Sequence, residues 1–235
     1  MKPVTVLIPA YNEAPRIGDV LDVVCSYPQE KRVIVIDDGS ADDTYKAAQR
    51  AGVEVIRHGK NLGKGAALQT GIDYVDDSSL WLFLDADLIN LKHQHMDALL
   101  LPLEENPQVG MTIGMFKSGG KKNVDLAQRY FSILNGQRGL ANFFVKSLPS
   151  LSWARFGVEI FLSRLAEKYN IPVIEPALQD ITHYTKEEKY GFKLGFMYRL
   201  QMYKECLYAL FNWQKHVPTH DKSIKNLSKD ISHYE

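Results

Sequence analysis

Short apolar runs alternate with amphipathic stretches through the first half of the chain. Residues 4–8, 33–36, 53–56 and 80–84 are too short for helices and rich in β-branched or aromatic side chains, so they read as buried strands. Residues 17–25, 45–51, 64–75 and 95–103 carry the helical repeat, with Asp42 or Asp43 placed to cap the second of them. This alternation predicts right-handed βαβ units and an α/β fold, a mainly parallel Rossmann-like sheet flanked by helices. A further strand is expected at 109–113. The character then changes: a basic loop at 118–122, helical patterns at 124–134 and 158–169, a returning strand at 172–175, and an aromatic-rich helix from 190 to 213. On that last helix Phe196, Leu200, Tyr203, Leu207, Leu210 and Phe211 share one face, and packing of that face onto the domain is the favoured reading. Tyr198, Tyr208, Trp213 and the neighbouring lysines leave a membrane-interfacial role open. Residues 216–235 read as a polar tail.

Composition narrows the function classes. With 28 basic and 28 acidic residues the formal net charge is zero, so whole-chain charge points to no nucleic-acid partner. The charge is unevenly placed: between Lys117 and Arg155 Asp125 is the only acid among seven basic residues, which suits an anionic substrate or an anionic membrane surface. Cys25 and Cys206 make no disulfide framework, and the first apolar run is too short for a signal peptide. No run reaches the length of a membrane span. The expectation is a cytoplasmic protein, with peripheral contact at the inner face of the cell membrane open.

The candidate chemistry gathers at strand ends. Asp85 and Asp87 follow the fourth strand one residue apart, so both can face one site, and a divalent cation would offset their repulsion. Hard oxygen ligands suit Mg²⁺ or Mn²⁺. The competing structural reading makes Asp85 a helix cap and Asp87 a solvated loop residue. Asn12 and Glu13 follow the first strand, and Asp37 and Asp38 the second, on the same expected edge. Gly63, Lys64 and Gly65 open a helix whose N-terminus favours phosphate. The glycine pattern is neither that of a Walker A loop nor that of a dinucleotide dehydrogenase.

Pro9-Ala10-Tyr11-Asn12-Glu13, Ile36-Asp37-Asp38-Gly39-Ser40, Asn61-Leu62-Gly63-Lys64-Gly65 and Leu84-Asp85-Ala86-Asp87-Leu88, in this order, resemble the successive signatures of family 2 glycosyltransferases. The resemblance implies a single GT-A-type domain over 1–189, with a nucleotide-sugar half (1–116) and an acceptor half (117–189), followed by a helical extension and tail (190–235). It implies inverting transfer from a nucleotide sugar, UDP-linked before GDP-linked, with Pro9, Tyr11, Glu13 and Asp38 at the nucleoside, Lys64 near it, and Asp85 and Asp87 as the Mn²⁺ or Mg²⁺ motif. Residues 135–140, 156–160 and 183–191 are similar to polyprenyl-phosphate and lipid-directed sugar transferases. Where those relatives often carry a glutamine ligand this chain has Ile89, and His183 is a candidate late metal ligand or phosphate contact.

Displacement at the anomeric carbon needs the leaving diphosphate neutralised, the task of Asp87 with Asp85. Arg138 is the candidate to hold a phosphate acceptor, and Glu159 to act as base toward a hydroxyl acceptor. A surface ion pair is the plainer reading of Arg138, and a helix-terminal carboxylate that of Glu159. The main expectation is sugar transfer to a lipid-linked acceptor, a polyprenyl phosphate. The alternatives are a hydroxyl acceptor on a glycolipid, polysaccharide or metabolite, and a nucleotide-sugar-binding protein without catalysis. The aromatic helix suits a homodimer or a membrane equally.

Overall fold

The computed structural model describes residues 2–117 and 134–218. Its centre is a seven-stranded sheet in the order β3-β2-β1-β4-β8-β6-β9. The strands are β1 (Val4–Ala10), β2 (Lys31–Asp37), β3 (Val53–Arg57), β4 (Leu80–Phe83), β6 (Met111–Ile113), β8 (Arg138–Ala141) and β9 (Val173–Ile174). Three of the four opening strands pair parallel to β1 or β2, and β8 alone among the seven runs antiparallel to its neighbours, β4 and β6. Two small pairs sit beside the sheet: β10 (Ala177–Gln179) on β7 (Met115–Lys117), and β11 (Thr182–His183) antiparallel to β5 (Leu88–Ile89).

Successive strand residues point to opposite faces, and both faces are covered. Val6, Ile8, Val33, Val35 and Leu82 meet Val20, Leu21 and Val24 of α1 (Ile17–Ser26) and Leu99 and Leu103 of α4 (His93–Glu105). Leu7, Ile34, Ile36 and Phe83 meet Ala67 and Leu68 of α3 (Lys64–Asp73) and Phe161, Leu162 and Leu165 of α6 (Val158–Lys168). This two-sided burial is why the strands read as continuous apolar runs. The short helices α2 (Thr44–Ala48) and α5 (Asn142–Lys146) complete the layers.

The element predictions need three amendments. Neither aspartate caps α2 in the expected way: Asp43 holds the N-cap position without a side-chain capping bond, while Asp42 accepts from the Thr44 N–H at 3.0 Å. The helix expected over 190–213 forms as α8 (Phe192–Asn212) and starts two residues late, because Gly191 adopts φ +75° and separates it from α7 (Lys186–Tyr190). Five of the six stripe residues of α8 face outward rather than onto the domain, and Leu210 packs beside Ile160, Cys206 and Ala209. Gly195, Cys206 and Ala209 make the packed face. That face must be small: a Cβ on Gly157 would lie 2.2 Å from the Ala209 Cβ. The helix expected over 124–134, the basic loop at 118–122 and most of the polar tail lie outside the described residues.

Candidate active site

Parallel strands deliver their C-terminal ends to one edge, and the polar loops after β1, β2 and β4 meet there. Tyr11 is exposed and Pro9 half-buried at the end of β1, while Glu13 is buried with its N–H bonded to Thr44 Oγ1 at 2.8 Å. Asp38 is buried and already engaged. Its carboxylate accepts from the N–H groups of Leu62 (2.9 Å) and Gly63 (2.7 Å) and contacts His58 Nδ1 at 2.7 Å. Asp38 thus fixes the loop that presents Lys64.

Lys64, at the first turn of α3, reaches two carboxylates. Its Nζ lies 2.5 Å from Asp85 Oδ1 and 2.5 Å from Glu159 Oε1. Burial opposes the ammonium charge, but the two acids outweigh it and the Lys64 pKa is raised. Asp85 is likewise opposed by burial, yet Lys64, a bond from Gln137 Nε2 at 3.0 Å and the charge of His183 hold its carboxyl well below the usual range. Gln137 Oε1 also accepts from the Asp85 N–H at 3.1 Å, so one side chain fixes both ends of this residue. Beside it Gly136 has no room for a side chain: a Cβ would lie 2.5 Å from Asp85 Oδ2.

A second lysine closes the other half of the site. Lys189 on α7, its side chain 1% exposed, places its ammonium between Glu13 Oε1 and Asp87 Oδ2. Burial raises the Glu13 pKa, and Lys189 partly offsets that rise. Lys186, one turn earlier, rests over the Phe156 ring at 4.9 Å and forms no ion pair among the described residues. Burial and the nearby Lys189 lower its pKa. His183 sits opposite Leu88 in the β5–β11 pair, with Ile89 opposite Thr182.

Arg138 lies within the sheet at 1% exposure, which removes the surface-ion-pair reading. Its Nε donates to Asn135 O at 2.9 Å and its Nη1 to Ser163 Oγ at 3.0 Å, and burial brings its pKa down to about 10. Sequence reasoning missed Gln137, Lys186 and Lys189 as site residues. The signal for Lys189 was the capping box Thr185-x-x-Glu188, which marks a short helix with two lysines one turn apart.

Among the described residues no group of three or more His, Cys, Asp or Glu side chains converges to hold a metal. The donor set nonetheless suits one. Asp87 already holds a cationic group, and carboxylate oxygens completed by substrate oxygens suit Mn²⁺ or Mg²⁺, with His183 on the strand paired opposite Leu88.

The model of glycosyl transferase family 2 matches residues 5–151, more than half of the chain, and the chain belongs to that family. Among curated relatives, an uncharacterized protein of Methanocaldococcus jannaschii, MJ1222, is 28% identical over 223 residues, covering 85% of this chain and 91% of its own length. The 4,4'-diaponeurosporenoate glycosyltransferase of Staphylococcus aureus is 33% identical over 104 residues, which span 42% of this chain and 28% of that enzyme. Among solved structures, glucosyl-3-phosphoglycerate synthase from Mycobacterium tuberculosis, in complex with Mn²⁺, UDP-glucose and phosphoglyceric acid, superposes with a TM-score of 0.74 at 21% identity, over 93% of this chain and 81% of that one. The fold is that of the GT-A glycosyltransferases, and the chain is a family 2 glycosyltransferase.

Proposed function

We propose that this glycosyltransferase moves a sugar, with inversion, from a nucleotide donor to a lipid-linked acceptor, a polyprenyl phosphate, at the cytoplasmic face of a membrane. A UDP-sugar is the preferred donor and Mn²⁺ or Mg²⁺ the cofactor. The observation that carries the donor half is the meeting of Glu13, Lys64, Asp85 and Asp87 at one sheet edge. The mycobacterial structure, solved with UDP-glucose and Mn²⁺ on the same fold, supports it.

Asp87, with His183 on the strand paired opposite Leu88, would hold the cation, which would supply charge neutralisation for the leaving diphosphate. Asp85 keeps Lys64 protonated at the α3 N-terminus, where the ammonium and free N–H groups favour phosphate oxygens. A phosphate acceptor is already anionic and needs a cation rather than a base. With Arg138 buried, Lys186 is the group to meet it, an ammonium at the site without an ion-pair partner among the described residues. The hydroxyl-acceptor reading rests on Glu159, whose buried carboxylate shares Lys64 with Asp85 and so stands at the site as a base would.

The test is transfer of labelled sugar from UDP-glucose, UDP-galactose, UDP-N-acetylglucosamine and GDP-mannose into membrane lipid extract, with Mn²⁺, with chelator, and with Asp87→Asn. Metal-dependent, acid-labile label in the organic phase is expected. Acid-stable label would establish a hydroxyl acceptor, and tight metal-dependent donor binding without transfer or hydrolysis would leave a binding protein.

A further inference from the structure

Ten of the eighteen exposed large apolar side chains among the described residues lie on α8, between Phe192 and Phe211. Phe192 is 79% exposed, Met197 65% and Phe211 78%. Lys193, Met197, Leu200, Lys204, Leu207 and Phe211 recur at intervals of four and three residues, so they form one line down the outer side of the helix. The inner side is spoken for. Gly195, Cys206 and Ala209 are buried, and Glu205 bonds Arg155 Nε at 2.8 Å. A patch of this size on one helix marks an interaction surface.

Charge selects the partner. Lys193 and Lys204 are exposed within the apolar line, and Lys215 follows in the next turn. The one acid of α8, Glu205, is turned inward onto Arg155, and Arg199 is paired with Glu187 at 3.1 Å. The outward face therefore joins apolar bulk to positive charge alone. A second copy laid antiparallel would bring Lys204 of each helix toward the same seam with no acid to pair it. A bilayer bearing anionic headgroups meets both features at once, and lysine stems can reach headgroups while their neighbours sit lower. No described helix is long and apolar enough to cross a membrane. The 21 residues of α8 span about 31 Å, which suits a helix lying in the interface plane.

We propose that the outward face of α8 is a membrane-docking surface that lies flat in the interface of a bilayer containing anionic lipids. Phe192, Met197, Leu200, Leu207 and Phe211 enter the acyl boundary, and Lys193 and Lys204 meet the headgroups. The inner side of α8 couples this surface to the site. Arg155, held by Glu205, donates to Leu62 O at 3.1 Å and Asn61 Oδ1 at 3.0 Å in the loop that presents Lys64. Docking would thus hold the donor loop beside the bilayer. The proposal deepens the lipid-acceptor reading and rests on it for its purpose, while its binding test is independent of transfer.

The experiment is co-sedimentation of the full chain with vesicles of phosphatidylcholine alone or mixed with phosphatidylglycerol, at low and high salt. Leu200→Glu/Leu207→Glu and Lys193→Gln/Lys204→Gln are compared, with circular dichroism and sedimentation velocity run alongside. Wild type is expected to sediment with the anionic vesicles. The glutamate pair should abolish this, and each lysine lost should weaken it about fivefold, while all variants stay folded and retain donor hydrolysis in free solution. Wild type remaining in the supernatant, or glutamate variants binding as wild type does, would overturn the proposal. A salt-insensitive dimer that the glutamate pair dissolves, with no vesicle binding, would overturn it in favour of a second copy. Vesicle binding without any lipid label would leave docking standing and remove the lipid acceptor. Label in detergent-dispersed lipid without vesicle binding would do the reverse.

Discussion

Replacing Lys189 by methionine probes whether Asp87 is the metal carboxylate. Methionine keeps the length and apolar stem of the side chain and removes the ammonium that lies between Glu13 and Asp87. Two opposite unit charges about 4 Å apart attract by about 4 kcal/mol at an effective dielectric constant of about 20. The desolvation of a lysine whose side chain is 1% exposed offsets part of that. Breaking a buried pair from one side typically costs about 3–5 kcal/mol, because the partner is left uncompensated. Without metal, the variant should therefore melt lower by roughly 6–20 °C for a chain of this size. Glu13, whose pKa burial and Asp87 already raise, should titrate higher still. With metal the sign reverses. A cation arriving at Asp87 no longer displaces the ammonium, so Mn²⁺ affinity in the absence of nucleotide should rise about tenfold, a change of about 1.4 kcal/mol. Isothermal titration calorimetry reads the affinity and differential scanning calorimetry in chelator reads the melting temperature. Lower melting combined with unchanged or weaker Mn²⁺ binding would refute the assignment of the metal to Asp87.

Other perturbations test the rest of the arrangement. Lys64→Met leaves Asp85 and Glu159 facing each other, and should cost about 3–5 kcal/mol in urea unfolding; adding Glu159→Gln should return part of that loss. Asp85 has a lowered pKa in the folded chain, so its stabilisation is present above the unfolded carboxyl value near 3.9 and is lost as pH falls through the folded value. Asp85→Asn should accordingly melt below wild type at pH 6, with the difference closing in strong acid. Burial pushes the Cys206 thiol up to about 12, so iodoacetamide at pH 8 should modify the half-buried Cys25 alone in the native chain and both cysteines in urea, read by mass spectrometry. Gly157→Ala drives a Cβ onto Ala209 and should destabilise by about 1–3 kcal/mol, with faster amide exchange along α8; Ala209→Gly in the same chain should reverse part of it.

The strand ends were legible because each reports on itself. A run such as Leu80 to Leu84 is apolar through and through only if both faces of its sheet are covered, and the acids that follow mark where the covered stretch stops. Parallel pairing then carries Glu13, Asp38 and Asp85 to one edge without further information. Arg138 was not legible in this way. Its segment, Gly136-Gln137-Arg138-Gly139, has no strand pattern, and its burial depends on Asn135, Ser163 and Met111, contributed by the chain to either side. The direction of the α8 stripe was hidden for a related reason. Helical spacing says which residues share a face but not which face meets the domain, and here Gly195 and Ala209 decide it by allowing close approach.

The counter-charges of the site carry this reasoning to its mechanism. The carboxylates sit where strands end, but the lysines that neutralise them arrive from distant segments: Lys64 is 21 residues from Asp85, and Lys189 is 176 from Glu13. Local pattern shows the acids and Lys64 separately and does not pair them, so the acids suggest a nest waiting for a cation. The folded chain instead places one lysine between each pair of acids before any ligand arrives, Lys64 between Asp85 and Glu159 and Lys189 between Glu13 and Asp87. Loading the site would then be an exchange of partners. With a cation held by Asp87, Lys189 would be free to meet the donor's diphosphate within the same site. Because the Lys189 pair would be broken as new pairs are made, part of the electrostatic gain would be cancelled, and neither cation nor diphosphate alone would complete the exchange. Such a site should bind metal and nucleotide with positive coupling, each tightening the other, and Lys189→Met should weaken that coupling while it strengthens metal binding alone.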